Sequence, residues 1–369
     1  REGFGECGLR AWAKDDTIES TKTAARVLIF RRKSRPPAET KDVANMAKYL
    51  VIDNGGTFVK PAIMDGEGNI LEMLPKVPTH SLDVTSMKMD GSEPPLGELD
   101  SVEKYLKLLD GIYAPYKGQV DGIAMSFPGV NDAEKGYCIS GGAFMFAAGQ
   151  PLGPVMTEHF GIPCTLENDG KCAALAEYWK GALQDVQNGA VIVLGTGVGG
   201  GVIVNGELVR GRRFSAGELS FMLNDLDKPL DGGSYFSSCG AMGLCAGVAY
   251  ACGLPVGEVD GFKAFELIKA GNPAANAVFQ TVIRRLAGQV YNMTTLLDLD
   301  AVAIGGGISR EPLLIDSLKA AVQEHIDKNP TAPYSAFYPH PVVRACKFHN
   351  EANMVGALYH HLKLLGKLG

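Results

Sequence analysis

Two glycine-rich turns, each directly after an apolar run, are the segments of this chain best suited to binding a phosphorylated ligand. Residues 53–57 (DNGGT) follow the run YLVI, and residues 194–201 (LGTGVGGG) follow AVIV. Glycines let backbone N–H groups approach phosphate oxygens with no side chain in the way. A hairpin turn is the alternative for each, since Asn-Gly is a common hairpin sequence. Their matching positions in two similar segments predict one nucleotide site.

Polar groups around these glycines suggest how phosphates would be held. Asp53 is suited to hold Mg²⁺, directly or through water, because this cation prefers oxygen ligands. Gly55 and Gly56 supply backbone amides, and Thr57 adds a hydroxyl. In the second turn the predicted phosphate contacts are Gly195, Thr196 and Gly197. Neither turn is a Walker loop or a dinucleotide fingerprint, because no GK[ST] follows the glycines and the next element is a strand.

A third glycine cluster, residues 304–309 (IGGGIS), follows another apolar run. Gly306 and Gly307 would let an adenine or a ribose lie flat on the backbone. A helix C-cap or a tight strand-to-helix turn explains the same residues.

Three polar residues are candidates for chemistry on a hydroxylated substrate. Asp169 is suited to act as the general base that accepts a proton from a hydroxyl as it attacks a γ-phosphate, and Asn168 would hydrogen-bond the same molecule. The alternative for both is a helix N-cap, since an apolar helical segment follows. Glu218, in AGELSF, can accept two hydrogen bonds from neighbouring hydroxyls. Its alternative is a solvated loop glutamate.

The elements that must position these residues occur in two similar sets. Strands at 49–53 and 58–65, joined by a glycine turn, are matched about 140 residues later within 190–211. Pro61 inside the second strand indicates an edge position or a bulge. Helical spacing predicts helices at 171–180, 262–271, 275–297 and 351–365. The pattern favours a mixed α/β fold with a duplicated core and a ligand cleft between the halves.

Composition narrows the classes of protein that remain. The 369 residues are enough for two domains, and the formal charge of −6 argues against wholesale nucleic-acid or anionic-membrane binding. Eight cysteines without a CxxC pair are typical of a reduced, intracellular protein. The most apolar stretch, 190–204, is too short and too rich in glycine to span a membrane. We therefore expect a cytoplasmic protein without membrane or nucleic-acid partners.

The first 45 residues differ from the rest, because they contain RRKSRPP and no sustained apolar period. We predict a disordered leader there; a transit peptide is the weaker alternative, and three patterned helices for a DNA-binding module are not visible. We expect a smaller domain at 46–165, joined by a C-terminal helix at 345–369, and a larger domain at 166–344.

On these motifs the chain resembles the ROK family of sugar kinases and sugar-responsive repressors. DNGGT with Lys60 behind it resembles the first phosphate motif, LGTGVGGGVIVNGELVRG the second, and IGGGIS the adenosine motif. SFPGV, which contains Gly129, resembles the strand-end motif beside the sugar, and LENDGKCAALAEYW resembles the segment with the catalytic aspartate. The resemblance implies the two-domain actin-like ATPase (ribonuclease H-like) fold, ATP with Mg²⁺, and a homodimer. It assigns catalysis to Asp169 and sugar contacts to Asn168 and Glu218.

The departures from the family pattern concern zinc and the sugar. Phe221 stands where the family has a zinc-binding histidine, and Ala246 stands where it has a second sugar-binding glutamate. Cys239, Cys245 and Cys252 lack the usual zinc spacing, so we expect buried thiols and no zinc site. GGAFMF, with Gly142, resembles the β-glucoside kinases of the family, which phosphorylate a 6-hydroxyl. Its phenylalanines would stack on a sugar or belong to the core.

The resemblance implies an ATP-dependent sugar kinase that transfers the γ-phosphoryl group to the 6-hydroxyl of a hexose or a β-glucoside. It leaves three other functions open. Glucokinase or N-acylhexosamine kinase specificity is one, and a non-catalytic sugar sensor is the second. The third is an actin-like or chaperone-like ATPase that acts on protein partners.

Overall fold

The computed structural model describes residues 47–79, 97–225, 233–329 and 340–368. The predicted leader, residues 1–45, lies outside the described residues. Alternating apolar runs and glycine turns form two mixed sheets, as the sequence predicts.

The first sheet begins with the hairpin that contains DNGGT. Its strands are β1 (Lys48–Asn54), β2 (Phe58–Asp65), β3 (Ile70–Met73), β4 (Val77–Pro78) and β5 (Ile123–Phe127), and a short separate hairpin of β6 (Asn131–Asp132) and β7 (Tyr137–Cys138) follows. The last strand of the sheet is β8 (Cys164–Asn168), and the order is β3-β2-β1-β5-β8, with β4 also paired to β2. Strands β1, β5 and β8 are parallel, so the ends of β1 and β8 lie at one edge.

The second sheet repeats this arrangement. Its strands are β9 (Gly189–Leu194), β10 (Val198–Val204), β11 (Glu207–Leu208), β12 (Ala301–Gly305) and β13 (Val342–Ala345). The order is β11-β10-β9-β12-β13, so an antiparallel hairpin again leads into parallel strands. The predicted duplication is confirmed at the level of strand order.

Helices cover both sheets and separate them. In chain order they are α1 (Val102–Tyr113), α2 (Leu152–Phe160), α3 (Asp169–Lys180), α4 (Ala241–Ala251), α5 (Gly261–Lys269), α6 (Pro273–Leu297), α7 (Pro312–Asp327) and α8 (Ala352–Leu364). Helices α3 and α8 pack on each other; α8 contacts the first sheet at β1, β5 and β8, and α3 contacts the second at β9 and β10.

Three apolar clusters follow from this layering. One lies between the first sheet and helices α1 and α2, one surrounds the α3–α8 pair, and one lies between the second sheet and helices α4 to α7. The first sheet continues to Asn168, three residues past the expected boundary at 165. The domain limits 46–165, 166–344 and 345–369 remain a prediction.

Pro61 lies in β2, which is internal to the sheet, so the edge position that its sequence suggested is wrong. Its partner in β1 is Ile52. On the other side of β2, β3 pairs with residues 62–64 and β4 pairs with residues 58 and 59, so Pro61 lies between their ladders. The missing N–H is tolerated there because no strand requires it, and the bulge occurs farther along, between Ile63 and Met64.

No helix among residues 47–79, 97–225, 233–329 and 340–368 combines the length and the apolar character that crossing a bilayer requires.

Candidate active site

The first glycine turn leaves β1 at a buried carboxylate. Asp53 is 3% exposed; its Oδ2 accepts a hydrogen bond from Lys60 Nζ at 2.9 Å, and its Oδ1 accepts one from Asn353 Nδ2 at 3.0 Å. Asn54 is anchored below the turn, because its amide donates to Ser126 O and accepts from Tyr105 Oη. The turn is therefore a hairpin, and its first carboxylate is held from two sides.

The second glycine turn is packed against the start of α4. A Cβ atom on Gly240 would lie 2.4 Å from Gly197 O, so only glycine permits this approach. Ala241 N donates to Gly195 O at 2.7 Å. Ser220 Oγ accepts from Val198 N at 3.0 Å, which connects the turn to the Glu218 loop. Thr196, at the tip, is exposed.

The third glycine cluster passes close to the end of β9. Gly306 has a φ of +92°, and a Cβ atom there would lie 2.2 Å from Leu194 O. Residues Gly307–Arg310 then form a 3₁₀ turn before α7. The strand-to-helix turn is thus what the local backbone forms, and it leaves open space at Gly307.

Two neighbouring cavities lie beside the first hairpin and the third glycine cluster. A cavity of about 160 Å³ is lined by Asp53 and Lys60 from the first hairpin and by Gly305 and Gly306 from the second sheet. A larger one, of about 710 Å³, lies between α5 and the 3₁₀ turn and is lined by Phe262, Glu266, Lys269, Gly307, Arg310 and Glu311. Asn350 lines both. The larger volume is in the range of pockets that bind small organic ligands.

Asp169 lies at the start of α3, where the first sheet meets the second. Its side chain is half-buried, and its Oδ1 accepts from Gly170 N at 2.8 Å. Burial raises the pKa of Asp169, and the charges of Asp53 and Glu218 raise it further, whereas the Gly170 hydrogen bond and the Lys171 charge lower it. A carboxylate with a raised pKa is better matched to accepting a proton near neutral pH.

Asn168 joins the α3 N-terminus to the Gly129 loop. Its Oδ1 accepts from Lys171 N at 3.1 Å, so it is the N-cap of the helix, and its Nδ2 donates to Gly129 O at 2.9 Å. Gly129 has a φ of +87° and lies against Gly142, whose N would be 2.8 Å from a Cβ at Gly129. The structure therefore brings Asn168, Gly129 and Gly142 together beside Asp169.

The loop that carries Glu218 packs close to the start of α3 because glycines lie at the points of contact. A Cβ on Gly170 would lie 2.6 Å from Gly200 N, and a Cβ on Gly217 would lie 3.2 Å from Gly200 O. The Glu218 side chain is 28% exposed, and its Oε1 is 3.6 Å from Lys171 Nζ. Glu218 is therefore not a freely solvated loop residue.

A buried ion pair supports β8 just before the candidate base. Glu167 is fully buried, and its Oε2 accepts from Arg210 Nε at 3.0 Å and from Arg210 Nη2 at 2.7 Å. Its Oε1 accepts from Asn168 N at 2.8 Å. Glu167 and Arg210 thus fix the backbone on which Asn168 and Asp169 are mounted.

The cysteines and the phenylalanines discussed in the sequence analysis can be assigned from their surroundings. Cys239 is buried as predicted; burial raises the pKa of its thiol, and Asn224 Nδ2 donates to its Sγ at 3.4 Å. Cys245 and Cys252 are only partly buried, so the prediction of buried thiols is wrong for these two. In the described ranges, no group of three or more His, Cys, Asp or Glu side chains is arranged to hold a metal ion. Phe144 is fully buried against Tyr105 and Phe127, so it belongs to the core and not to a sugar-stacking surface.

Sequence reasoning missed three residues of this region. Asn353 contacts Asp53 although the two residues are 300 positions apart, and no local sequence pattern predicts such a contact. Lys171 was treated as an ordinary helical residue although it is 1% exposed. Phe262 was assigned to a helix, and its 90% exposure beside a cavity is visible only in three dimensions.

The duplicated hairpin sheets, with the α3–α8 pair between them, define the two-domain actin-like ATPase fold. The chain belongs to the ROK family, whose model matches residues 49–363.

Individual relatives match most of the chain. A beta-glucoside kinase of Listeria monocytogenes is 29% identical over 318 residues, which cover 86% of this chain and 98% of the relative. A beta-glucoside kinase of Klebsiella pneumoniae is 28% identical, with coverage of 86% and 97%. A crystal structure of a ROK family protein from Streptococcus pneumoniae in complex with sucrose has a TM-score of 0.72 and 28% identity, and the match covers 87% of this chain and 99% of that one.

Proposed function

We propose that the protein transfers the γ-phosphoryl group of ATP to the 6-hydroxyl of a β-glucoside or a hexose. As to reaction class, the chain is an ATP-dependent sugar kinase, as are the beta-glucoside kinases that it resembles along most of its length. The observation that carries the finer proposal is the half-buried Asp169 at the start of α3, whose pKa is raised by burial and by the charges of Asp53 and Glu218.

Asp169 would act as the general base in this reaction. Burial raises its pKa toward the pH at which a kinase works, so the carboxylate can accept the hydroxyl proton as the bond to phosphorus forms. Phosphoryl transfer otherwise depends on positioning and charge neutralisation rather than on covalent chemistry by the protein. The N-cap bond of Asn168 and the ion pair beneath it would supply that positioning.

The nucleotide would occupy the two neighbouring cavities. The proposal assigns the adenosine to the larger cavity, beside Gly307 and the exposed ring of Phe262, because an aromatic face can stack on a base. It assigns the phosphates to the smaller cavity and to the backbone amides at Gly55, Gly56, Gly195, Thr196 and Gly197, with Thr57 and Lys60 adding polar groups.

A magnesium ion fits this donor set only in one way. Asp53 is the carboxylate at the first turn, and Lys60 and Asn353 already hydrogen-bond its two oxygens. Mg²⁺ commonly takes one or two carboxylates and completes its shell with water and phosphate oxygens. Asp53 would therefore hold the ion, in large part through water, and the ion would neutralise phosphate charge.

The sugar would bind beside Asp169, against Asn168, Gly129, Gly142 and Glu218. The preference for a β-glucoside is supported by the GGAFMF segment and by the names of the relatives. We further propose that the enzyme works in the cytoplasm as a homodimer, without nucleic-acid or membrane partners.

A coupled assay of ADP release tests the proposal. Cellobiose, gentiobiose, glucose and N-acetylmannosamine would be offered with MgATP to the wild-type protein and to Asp169→Ala, and NMR would locate the new phosphate. We expect sugar-dependent ADP release that the variant lacks, preference for the disaccharides, and phosphate on a 6-hydroxyl.

Other outcomes distinguish the remaining functions. Preference for glucose or N-acetylmannosamine would replace the β-glucoside assignment. Sugar binding by thermal shift without ADP release would favour a sensor. ADP release that no sugar stimulates would favour an ATPase that acts on protein partners.

A further inference from the structure

Lys171 is a lysine side chain enclosed by protein at the candidate sugar subsite. It is 1% exposed, and its Nζ has no hydrogen-bond partner among the described residues. The nearest recorded carboxylate oxygen is Glu218 Oε1, at 3.6 Å. A buried ammonium without a hydrogen-bond partner lowers the stability of the folded protein. Such a group is therefore a candidate for a functional role.

The backbone around Lys171 is built to bring these two groups together. Lys171 N donates to the N-cap Asn168, so the Lys171 side chain projects from the first turn of α3. Gly201 removes the side chain that would obstruct this turn, since a Cβ there would lie 3.3 Å from Lys171 Cα. Gly217 lies on the same strand surface and leads directly into Glu218.

Carboxylates outnumber ammonium groups around Asp169. The charges of Asp53 and Glu218 raise the pKa of Asp169, and the charge of Lys171 lowers it. Lys60, another lysine of the region, already donates its Nζ hydrogen bond to Asp53. In the part of the chain that the structure describes, Lys171 is the cation within 4 Å of the Glu218 carboxylate, and it is placed to balance that charge.

We propose that Lys171 is a positioning residue of the sugar subsite, whose buried ammonium orients the Glu218 carboxylate to accept hydrogen bonds from two neighbouring sugar hydroxyls. Lys171 does not itself touch the sugar, because its Nζ is sealed from solvent. This inference rests on the proposed function, in which Glu218 is a sugar ligand.

A double-mutant cycle of Lys171→Met and Glu218→Gln tests it. Methionine fills a similar volume without charge, so Lys171→Met should keep or raise the Tm while it raises the KM for the sugar about tenfold, the order expected for one charged hydrogen bond. The KM for ATP should stay within about twofold of wild type. Both changes remove the same interaction. The double variant should therefore have a sugar KM no higher than that of the single variant with the higher KM.

Glu218→Gln supplies an independent readout that does not need Lys171→Met to fold. It removes the nearest carboxylate from the buried ammonium, so we expect the Tm to fall by roughly 2 °C or more. Adding Lys171→Met to this variant should restore the Tm. Lys328→Met, at an exposed pair with Glu324 far along the chain, is the matched control and should change neither quantity.

Three results would overturn the inference: additive effects on sugar KM, equal effects on the KM values of sugar and ATP, or a wild-type Tm for Glu218→Gln. The proposed function is tested separately by sugar-dependent turnover of the wild-type protein. If that turnover is absent, the proposed function fails; if it is present and the cycle shows no coupling, only the role of Lys171 fails.

Discussion

Replacing Asp169 by asparagine separates the chemistry of this residue from its structural part. Asparagine keeps the size of the side chain and an oxygen that can accept from Gly170 N, now 2.8 Å from Oδ1. It loses the ability to take a proton. A positioned general base contributes about 10²- to 10⁴-fold, so we expect kcat to fall by roughly that factor, or about 3–5 kcal/mol in the barrier.

The same change should not weaken the fold. Burial and the charges of Asp53 and Glu218 raise the pKa of Asp169 in the folded protein. Ionising this group therefore costs stability above the folded-state pKa, and the cost vanishes below the unfolded value. At neutral pH the Tm of Asp169→Asn should equal or exceed that of the wild type, and the gap should close as the pH is lowered through the folded-state pKa.

The assay combines steady-state kinetics with thermal melting across pH. The wild-type kcat/KM should fall on the acid side as Asp169 is protonated, with a midpoint above the ordinary aspartate range, and the residual activity of the variant should lack that limb. Asp110→Asn, at an exposed pair with His159, is the control and should keep wild-type activity. Normal turnover by a well-folded Asp169→Asn variant would refute the assignment of the base.

Three further changes test other parts of the site. Arg210→Met leaves the buried Glu167 unpaired, so urea unfolding should show a loss of about 3 kcal/mol; an unchanged midpoint would mean that the pair is not structural. Gly129→Ala forces a φ of +87° on alanine and places its Cβ 2.1 Å from Ser140 O, so the Tm should fall and the sugar KM should rise more than the ATP KM; equal KM changes would argue against a sugar role. Phe262→Ala, at a ring 90% exposed, should raise the ATP KM about fivefold with an unchanged Tm, and an unchanged KM would remove the ring from the adenosine site.

Elements with a local cause could be predicted from the sequence. The glycine turns after Asp53 and Leu194 form hairpins because apolar strands flank residues that tolerate tight turns. The helix after Asn168 begins where an N-cap residue meets a helical pattern. The duplicated strand order followed from two copies of the same local pattern.

Features that depend on distant neighbours could not be predicted. The sequence left open whether Phe144 stacks on a sugar or belongs to the core; Tyr105 and Phe127 pack against it in the core, and nothing near it in sequence reveals them. Lys171 occupies a position that sequence reading leaves to solvent, since lysine is seldom fully buried. Its burial follows from the packing of α3 on β10, which is a property of the tertiary structure.

The contact between Asn353 and Asp53 has a consequence for the order of events during protein synthesis. Helix α8, which carries Asn353, covers β1, β5 and β8, so strand β1 receives its covering from a segment that is synthesised 300 positions later. At a translation rate of about 5–20 residues per second, the 300 positions between the two residues take roughly 15–60 s. During that interval the face of the nascent first sheet that α8 covers lacks its main native partner. The core of the first sheet is therefore complete only once α8 has been synthesised and has packed against it, and chaperones can bind that face until then.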